Sequence, residues 1–306
     1  MQKIRAGVAG AGAMGRNHAR VYALLENAEL AAVYDANAAR AAAVAAEFGA
    51  RAVTSLEALA EACEVASVAV PTVAHREVGC RLMEAGVHVL MEKPIAPTVD
   101  DARALVETAQ RTGRVLQIGH IERFNPVMRE LEKKLSRPRF IEAHRLSPFP
   151  NRSMDIGVVL DLMIHDLEII LHLVRSPIAS IDAVGVAVLT GHEDIANARL
   201  RFESGCVANV TASRISPDRM RKLRVFQEDC YLSLDYQDQS GHMHWKEGME
   251  IKRADVAVEP GEPLRLELDA FVASVAAGAA PAVSGQQGTA ALAVALEITR
   301  MIRATF

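Results

Sequence analysis

A run of β-branched and small residues, Ile4 to Ala9, leads straight into glycines at positions 10, 12 and 15, and a helical pattern, Arg16–Leu25, begins at once. That order limits the fold more than any other stretch of the chain. Gly10 permits a tight turn, Gly12 lacks the Cβ that would keep a ligand off the backbone N–H groups, and Gly15 lets helix and strand pack closely. The helix start presents unpaired N–H groups and the positive end of its dipole to an anion. A dinucleotide pyrophosphate suits such a turn, with Gly10, Gly12, Ala13, Met14 and Gly15 as the residues around it.

The rest of the first 119 residues repeats the alternation. Strand patterns at Leu30–Tyr34, Arg51–Val53, Val65–Val70, His88–Met91 and Val115–Ile118 are separated by helical ones at Ala36–Phe48, Leu56–Cys63, Val73–Ala85 and Val99–Arg111. Continuous apolar strands alternating with helices predict a doubly wound parallel sheet covered on both faces, with ligands at the carboxyl ends of its strands. Asp35 ends the second strand, 20 residues after Gly15. A carboxylate there accepts hydrogen bonds from ribose hydroxyls and repels a 2′-phosphate, so NAD is expected over NADP.

From residue 120 to 306 the pattern changes. A helix at Pro126–Leu135 and a strand at Phe140–Leu146 precede a loop, Ser147–Asp155, and a helix at Gly157–Val174. Strand-like runs follow at Ile181–Leu189, Ile195–Phe202, Val207–Ser213, Lys222–Gln227, Tyr231–Tyr236 and His242–Trp245, and helices at Pro263–Ala277 and Gln287–Thr305 close the chain. Short turns between consecutive strands predict a second, α+β domain with an open, largely antiparallel sheet. One face packs on a helix, and the other needs cover, most simply from another copy in a homodimer or homotetramer.

Composition excludes several classes. The 306 residues are 50% hydrophobic, 24% charged and only 4% aromatic, with a net charge of −4, so neither nucleic acid nor an anionic membrane is an expected partner. Cys63, Cys80, Cys206 and Cys230 form no metal motif and read as free thiols. The first strand follows directly on Met1, and a cytoplasmic location is expected.

Several residues carry possible chemistry. Glu92-Lys93-Pro94 ends a strand, where an ammonium can stabilise a developing alkoxide or, desolvated, act as a base. Thr72 and His75 lie past another strand end, beside the cofactor or capping the helix. Asp161, His165, Glu168 and His172 fall at i, i+4, i+7 and i+11, one stripe of an otherwise apolar helix. That stripe either faces water or brings Asp161 and His165 to a reaction centre, His165 taking a hydroxyl proton. His120, Glu122, Arg123 and Asn125 follow the last strand of the first domain, as ligand groups or as structural contacts. His242 and His244 share a strand face, but no third ligand is spaced for a metal, and none is expected. Arg219, Arg221, Lys222 and Arg224 divide between two strand faces.

Together, Gly10-Ala11-Gly12-Ala13-Met14-Gly15, Glu92-Lys93-Pro94 and Asp161-Leu162-Met163-Ile164-His165 resemble the Gfo/Idh/MocA oxidoreductases along essentially the whole chain. The resemblance implies NAD(P)-dependent redox chemistry on a sugar or polyol, with Lys93 and His165 as catalytic pair and Asp161 beside them. Gly10, Gly12, Ala13, Met14, Gly15, Asp35, Thr72, His75, Glu92 and Lys93 then border the cofactor. Gly119-His120-Ile121-Glu122-Arg123-Phe124-Asn125-Pro126 and Asp155-Ile156-Gly157-Val158-Val159-Leu160-Asp161-Leu162 are similar to the nucleotide-sugar branch, and within it to UDP-N-acetylglucosamine 3-dehydrogenases. These oxidise the sugar 3-hydroxyl to a ketone that a partner aminotransferase converts to an amine, for lipid A or surface polysaccharide. Lys93, Arg123, Asn125, Arg152, Asp161 and His165 are the expected substrate contacts. Two other readings stay open: a dehydrogenase of a free sugar or inositol-type polyol, and a non-catalytic NAD-binding regulatory protein.

Overall fold

Six strands, each buried wherever it runs through the middle of the sheet, form the first sheet of the computed structural model, which describes residues 3–149 and 156–304. They are β1 (Ile4–Ala9), β2 (Ala28–Tyr34), β3 (Arg51–Val53), β4 (Val65–Val68), β5 (His88–Glu92) and β6 (Leu116–Gly119), all parallel and ordered β3-β2-β1-β4-β5-β6. Helices α1 (Ala13–Leu24), α2 (Ala38–Phe48), α3 (Leu56–Ala62), α4 (His75–Glu84) and α5 (Val99–Thr112) make the crossovers. The doubly wound parallel sheet read from the sequence is present. β4 is buried along its whole length, which explains why Ser67 is its one polar residue. α5 starts where the Thr98 hydroxyl accepts from the Asp101 amide and ends at Gly113 in left-handed conformation. The strand order reverses between β1 and β4, the place where such sheets bind ligands.

The second sheet has eight strands. After α6 (Pro126–Lys134) and β7 (Phe140–Leu146), a five-residue π-helical turn, Val159–Met163, leads into α7 (Ile164–Val174). Then come β8 (Ile178–Val186), β9 (Ile195–Phe202), β10 (Val207–Ser213), β11 (Met220–Phe226), β12 (Cys230–Asp235), β13 (Ser240–Glu247) and β14 (Glu250–Asp255), followed by α8 (Pro263–Ala277) and α9 (Gly285–Arg303). The order is β14-β13-β12-β11-β7-β10-β9-β8, antiparallel except for the β7–β10 pair. The open, largely antiparallel sheet is as expected. Its inner face presents alternate residues, among them Ala198, Leu200, Ala208, Val210, Leu223 and Leu232, to α6, α7 and the later turns of α9. β14 was not foreseen. Its sequence, EIKRAD, has no apolar alternation, and only one of its residues is even half-buried, so it is an edge strand guarded by charge.

The contacts divide the chain into two units, Met1–Ile121 with Glu262–Thr289 and Glu122–Gly261 with Ala290–Phe306. This differs from the expected boundary, which gave all of 120–306 to the second domain. Leu264, Leu268, Phe271 and Val272 of α8 join Ala6, Val8, Ala19 and Tyr22 in the core of the first unit. The spacing i, i+4, i+7, i+8 announces an apolar helix face but not which sheet it covers. Among the described residues, all four cysteines are free, and burial pushes the Cys63 and Cys206 thiols up to about 12 and about 11. No helix among them is long and apolar enough to cross a membrane. Phe271 is fully buried, so Phe271→Ala is expected to destabilise the first unit by about 3–5 kcal/mol. Urea unfolding measures this, and a loss under 1 kcal/mol refutes the assignment of α8 to that core.

Candidate functional site

The glycine turn closes on itself so tightly that side chains are excluded. Gly10 has φ +97°, and a Cβ there would strike the backbone of Ala69 and Val70 beyond β4. A Cβ at Gly15 would overlap the Gly10 carbonyl. Around the Cβ position that Gly12 lacks, no non-adjacent atom lies within 4 Å, so that side is open. Gly12 is also the N-cap of α1 and carries no side chain to cap it, while Ala13 and Met14 are exposed in the first turn. The chain thus supplies an open, side-chain-free cradle of helix N–H groups, which fits a pyrophosphate.

Asp35, just past β2, has two tasks. Its Oδ2 accepts from the Ala11 amide at 2.7 Å and its Oδ1 from the Asn37 amide at 2.7 Å, pinning the glycine turn to the end of β2. Arg40 Nη1 lies 3.8 Å from Oδ2 and is more than half exposed. The carboxylate keeps lone pairs for ribose hydroxyls, and Arg40 stands where a cation would meet a 2′-phosphate if the carboxylate were absent.

Glu92 and Lys93 end β5 at the same sheet edge, and the Lys93–Pro94 peptide is cis. Glu92 Oε1 accepts from His18 Nε2 at 2.9 Å and its Oε2 from the Lys93 amide at 3.2 Å. Burial raises the Glu92 pKa, but the His18 hydrogen bond, with the electrostatic pull of His18 and Lys93, outweighs it and holds the carboxyl below its ordinary value. Thr72 is half-buried in a short 3₁₀ turn past β4. His75, expected to border the cofactor, is instead 1% exposed, with Nδ1 3.0 Å from the Pro94 carbonyl and Nε2 3.0 Å from the Val70 carbonyl. It ties the lysine turn to the end of β4. Burial lowers its pKa against the pull of those carbonyls. His18 itself was missed by sequence reasoning. Its signal is a polar residue on the buried face of α1, among Gly15, Ala19 and Tyr22.

In the second unit the π-turn Val159–Met163 carries Asp161, which is buried, and α7 carries His165, which is half-buried one turn on. The expected helix Gly157–Val174 is therefore not uniform: π-turns inside helices recur at functional sites, and no residue type here announced this one. The polar stripe does not face water. Glu168 is 2% exposed and pairs with Arg123 Nη1 at 2.8 Å, and His172 Nε2 meets Glu132 at 2.9 Å. α7 is held to β7 by Arg145, which donates Nε and Nη2 to the Asp166 carboxylate at 2.7 and 2.9 Å and Nη1 to Glu122 at 2.8 Å. Two expected substrate contacts prove internal. The Arg123 side chain is 8% exposed in its pair with Glu168. Asn125 caps α6 through the Val127 amide and donates to the Tyr236 carbonyl at 2.9 Å. Both belong to partners more than 40 residues away or to a helix cap, contacts that a local pattern does not reveal. Arg152 lies outside the described residues. His120 is buried, and His242 and His244 share a face with Tyr231, whose ring stacks on His244.

Two outcomes follow. Asp35→Ser is expected to weaken NAD binding about tenfold and, with Arg40 in place, to raise the ratio of NADP to NAD affinity; nucleotide fluorescence titration measures both, and an unchanged ratio refutes the role. Burial pushes the Glu168 pKa from 4.5 up to about 7, against the pull of Arg123. A carboxyl that holds its proton more tightly when folded makes stability fall as pH rises from 4.5 to about 7. Glu168→Gln should flatten that decline in urea unfolding, and an unaltered slope would show that Glu168 titrates normally.

Comparison with known proteins follows the same division. Residues 4–120 match the oxidoreductase family with an NAD-binding Rossmann fold, and residues 131–232 match the GFO/IDH/MocA C-terminal domain. A UDP-N-acetylglucosamine 3-dehydrogenase of Acidithiobacillus ferrooxidans is 38% identical over 99% of both chains, and its solved structure superposes with a TM-score of 0.95. An inositol 2-dehydrogenase of Corynebacterium glutamicum is 31% identical over 59% of this chain and 57% of its own. A levoglucosan dehydrogenase solved with NADH and levoglucosan shares the fold, with a TM-score of 0.90 at 17% identity over 99% of this chain and 98% of that one. With both units matched and such a relative along its whole length, the chain belongs to the Gfo/Idh/MocA family of NAD-dependent oxidoreductases.

Proposed function

We propose that the protein oxidises the 3-hydroxyl of a nucleotide sugar, UDP-N-acetylglucosamine or a close analogue, to a 3-keto sugar. One observation carries the reading: 38% identity over 99% of the chain to an enzyme of that name, above the 31% of the inositol dehydrogenase, which aligns over only 59% of the chain, and above the 26% of an inositol 2-dehydrogenase that matches along 98% of it. Gly10, Gly12, Ala13, Met14 and Gly15, with Asp35 at the ribose, would hold NAD, which when bound would supply the acceptor for the hydride of the carbinol carbon. His165 accepts the hydroxyl proton, its imidazole being the group whose ordinary pKa suits a base near neutral pH. Asp161, one turn earlier, orients it. Lys93 donates to the same oxygen and stabilises its alkoxide character, an ammonium acting where negative charge develops.

The ketone feeds a partner aminotransferase in amino-sugar synthesis for lipid A or surface polysaccharide, in the cytoplasm. The outer face of the second sheet carries a row of rings, Phe140, Phe226, Tyr231 and His244, with neighbouring centroids 5.6, 5.1 and 4.7 Å apart. These support self-association through that face, as a homodimer or homotetramer.

NADH absorbance, followed with NAD and a panel of UDP-sugars and free polyols, tests the reading. Turnover of UDP-N-acetylglucosamine is expected, with His165→Ala and Lys93→Met each lowering kcat about 10²–10⁴-fold. Turnover of inositol or glucose alone overturns the substrate assignment. A near-normal rate in His165→Ala overturns its role as base.

A further inference from the structure

Beneath the lysine turn runs a chain of buried polar groups that the chemistry above does not use. His18 is fully buried on α1 and has partners on both ring nitrogens: Ser67 Oγ at 2.8 Å from Nδ1, and Glu92 Oε1 at 2.9 Å from Nε2. Ser67, on β4, is fully buried and lies 2.9 Å from the Tyr22 hydroxyl. The ionised carboxylate can only accept, so Nε2 carries the proton that it donates to Glu92. In the neutral ring Nδ1 is then an acceptor, filled by the Ser67 hydroxyl. Ser67 in turn accepts from Tyr22, whose phenol burial pushes up, so that it keeps its proton. Every donor in the series has one acceptor, and all point toward Glu92.

We propose that His18 is a positioning residue of the redox site, acting through Glu92 to keep that carboxylate ionised and fixed on the Lys93 amide. The inference rests on the reading above only for what Lys93 does to substrate.

The surroundings of Glu92 show why one donor decides its state. Lys93 is next to it on its own turn and lowers its pKa, and the charge of Glu92 is felt by His75 on α4. A Cβ at Gly119 on β6 would come within 3.3 Å of its carboxyl carbon, so a larger residue there would crowd the Glu92 side chain. From α8, Glu267 is fully buried and neither of its carboxyl oxygens has a hydrogen-bond partner. Burial, and then the charge of Glu92, raises the Glu267 pKa well above its ordinary value. That neighbour supplies no positive charge to Glu92. Without His18, Glu92 is a carboxylate in a buried site lacking its side-chain donor, and it takes up a proton instead. The turn then loses a negative charge, and the Lys93 amide keeps only the weaker, uncharged acceptor of a protonated carboxyl.

The test compares His18→Leu, which removes the donor, with His18→Gln, whose amide nitrogen can donate in place of Nε2. ¹³C NMR of side-chain carboxyls, with Glu92→Gln for assignment, follows the Glu92 titration in the cofactor-free protein. Glu92 is expected to titrate at least about one pH unit higher in His18→Leu and to return in His18→Gln. A carboxylate needed in ionised form fails as pH falls through the higher pKa. The acidic limb of kcat/KM therefore moves up in His18→Leu, and kcat/KM at pH 6 drops about tenfold or more. An unmoved Glu92 titration overturns the proposal. So does a moved titration with kcat, KM and the acidic limb unchanged, since a merely structural residue would lower Tm alone. If the wild-type enzyme turns over no nucleotide sugar, the proposed function fails while the carboxyl titration still decides the role of His18. Should His18→Leu not fold, Ser67→Ala removes the hydroxyl that fills Nδ1, and a smaller upward shift of Glu92 is expected; no shift there overturns the proposal equally.

Discussion

The first turn of α1 lies so close to the end of β1 that residue 15 has no room for a Cβ. Most of the first unit follows from this one contact. β1 is central, pairing with β2 on one side and β4 on the other, so whatever is fixed against β1 is fixed against the whole sheet. α1 then carries His18 and Tyr22 to set positions above β4 and the end of β5. An alanine at 15 would push the helix away, and the polar series it delivers would lose its register along with the anion cradle.

In the second unit, buried charge is used for orientation more than for stability. Arg145 alone gathers Asp166 of α7 and Glu122, and it is buried with both. Asp194, fully buried, accepts from the amides of Val188, Leu189 and Thr190 and pairs with Arg214, which also donates to the Ile156 carbonyl just ahead of the π-turn. Removing either ion from such a pair costs far more than the pair contributes, because the survivor stays desolvated. Each pair therefore works as a locating pin: Arg145 sets where α7 lies on its sheet, and Arg214 sets where the chain enters the helical segment bearing Asp161 and His165.

Much of this was legible in the sequence, and the reason is locality. Gly10, Gly12, Gly15 and Asp35 act within one strand–turn–helix–strand unit, so their spacing describes their geometry. Strand alternation correctly divided the basic run of β11: Arg221 turns toward Glu122, whereas Lys222 and Arg224 meet Asp235 and Glu142 on the other face. What sequence reasoning missed depends on distant partners. Arg123 looked like a ligand group because nothing near it announces Glu168, and Asn125 because its bond to Tyr236 spans 111 residues. His18 was passed over for the complementary reason, since its acceptor is 74 residues on. β14 has no apolar face to detect. The affiliation of α8 is a tertiary choice among apolar surfaces that propensity does not make.

The assignment of Glu262–Thr289 to the first unit means that residues 122–261 are an insertion within it. A chain emerging from the ribosome exposes the cofactor-binding sheet early, but Leu264, Leu268 and Phe271, which complete that core, appear only after the whole eight-stranded sheet has been made. The usual order, in which an N-terminal domain folds before its successor is synthesised, does not hold here. Until α8 arrives, the apolar surface it covers on the first sheet stays uncovered for most of translation. The unit that begins the sequence is thus among the last to be finished.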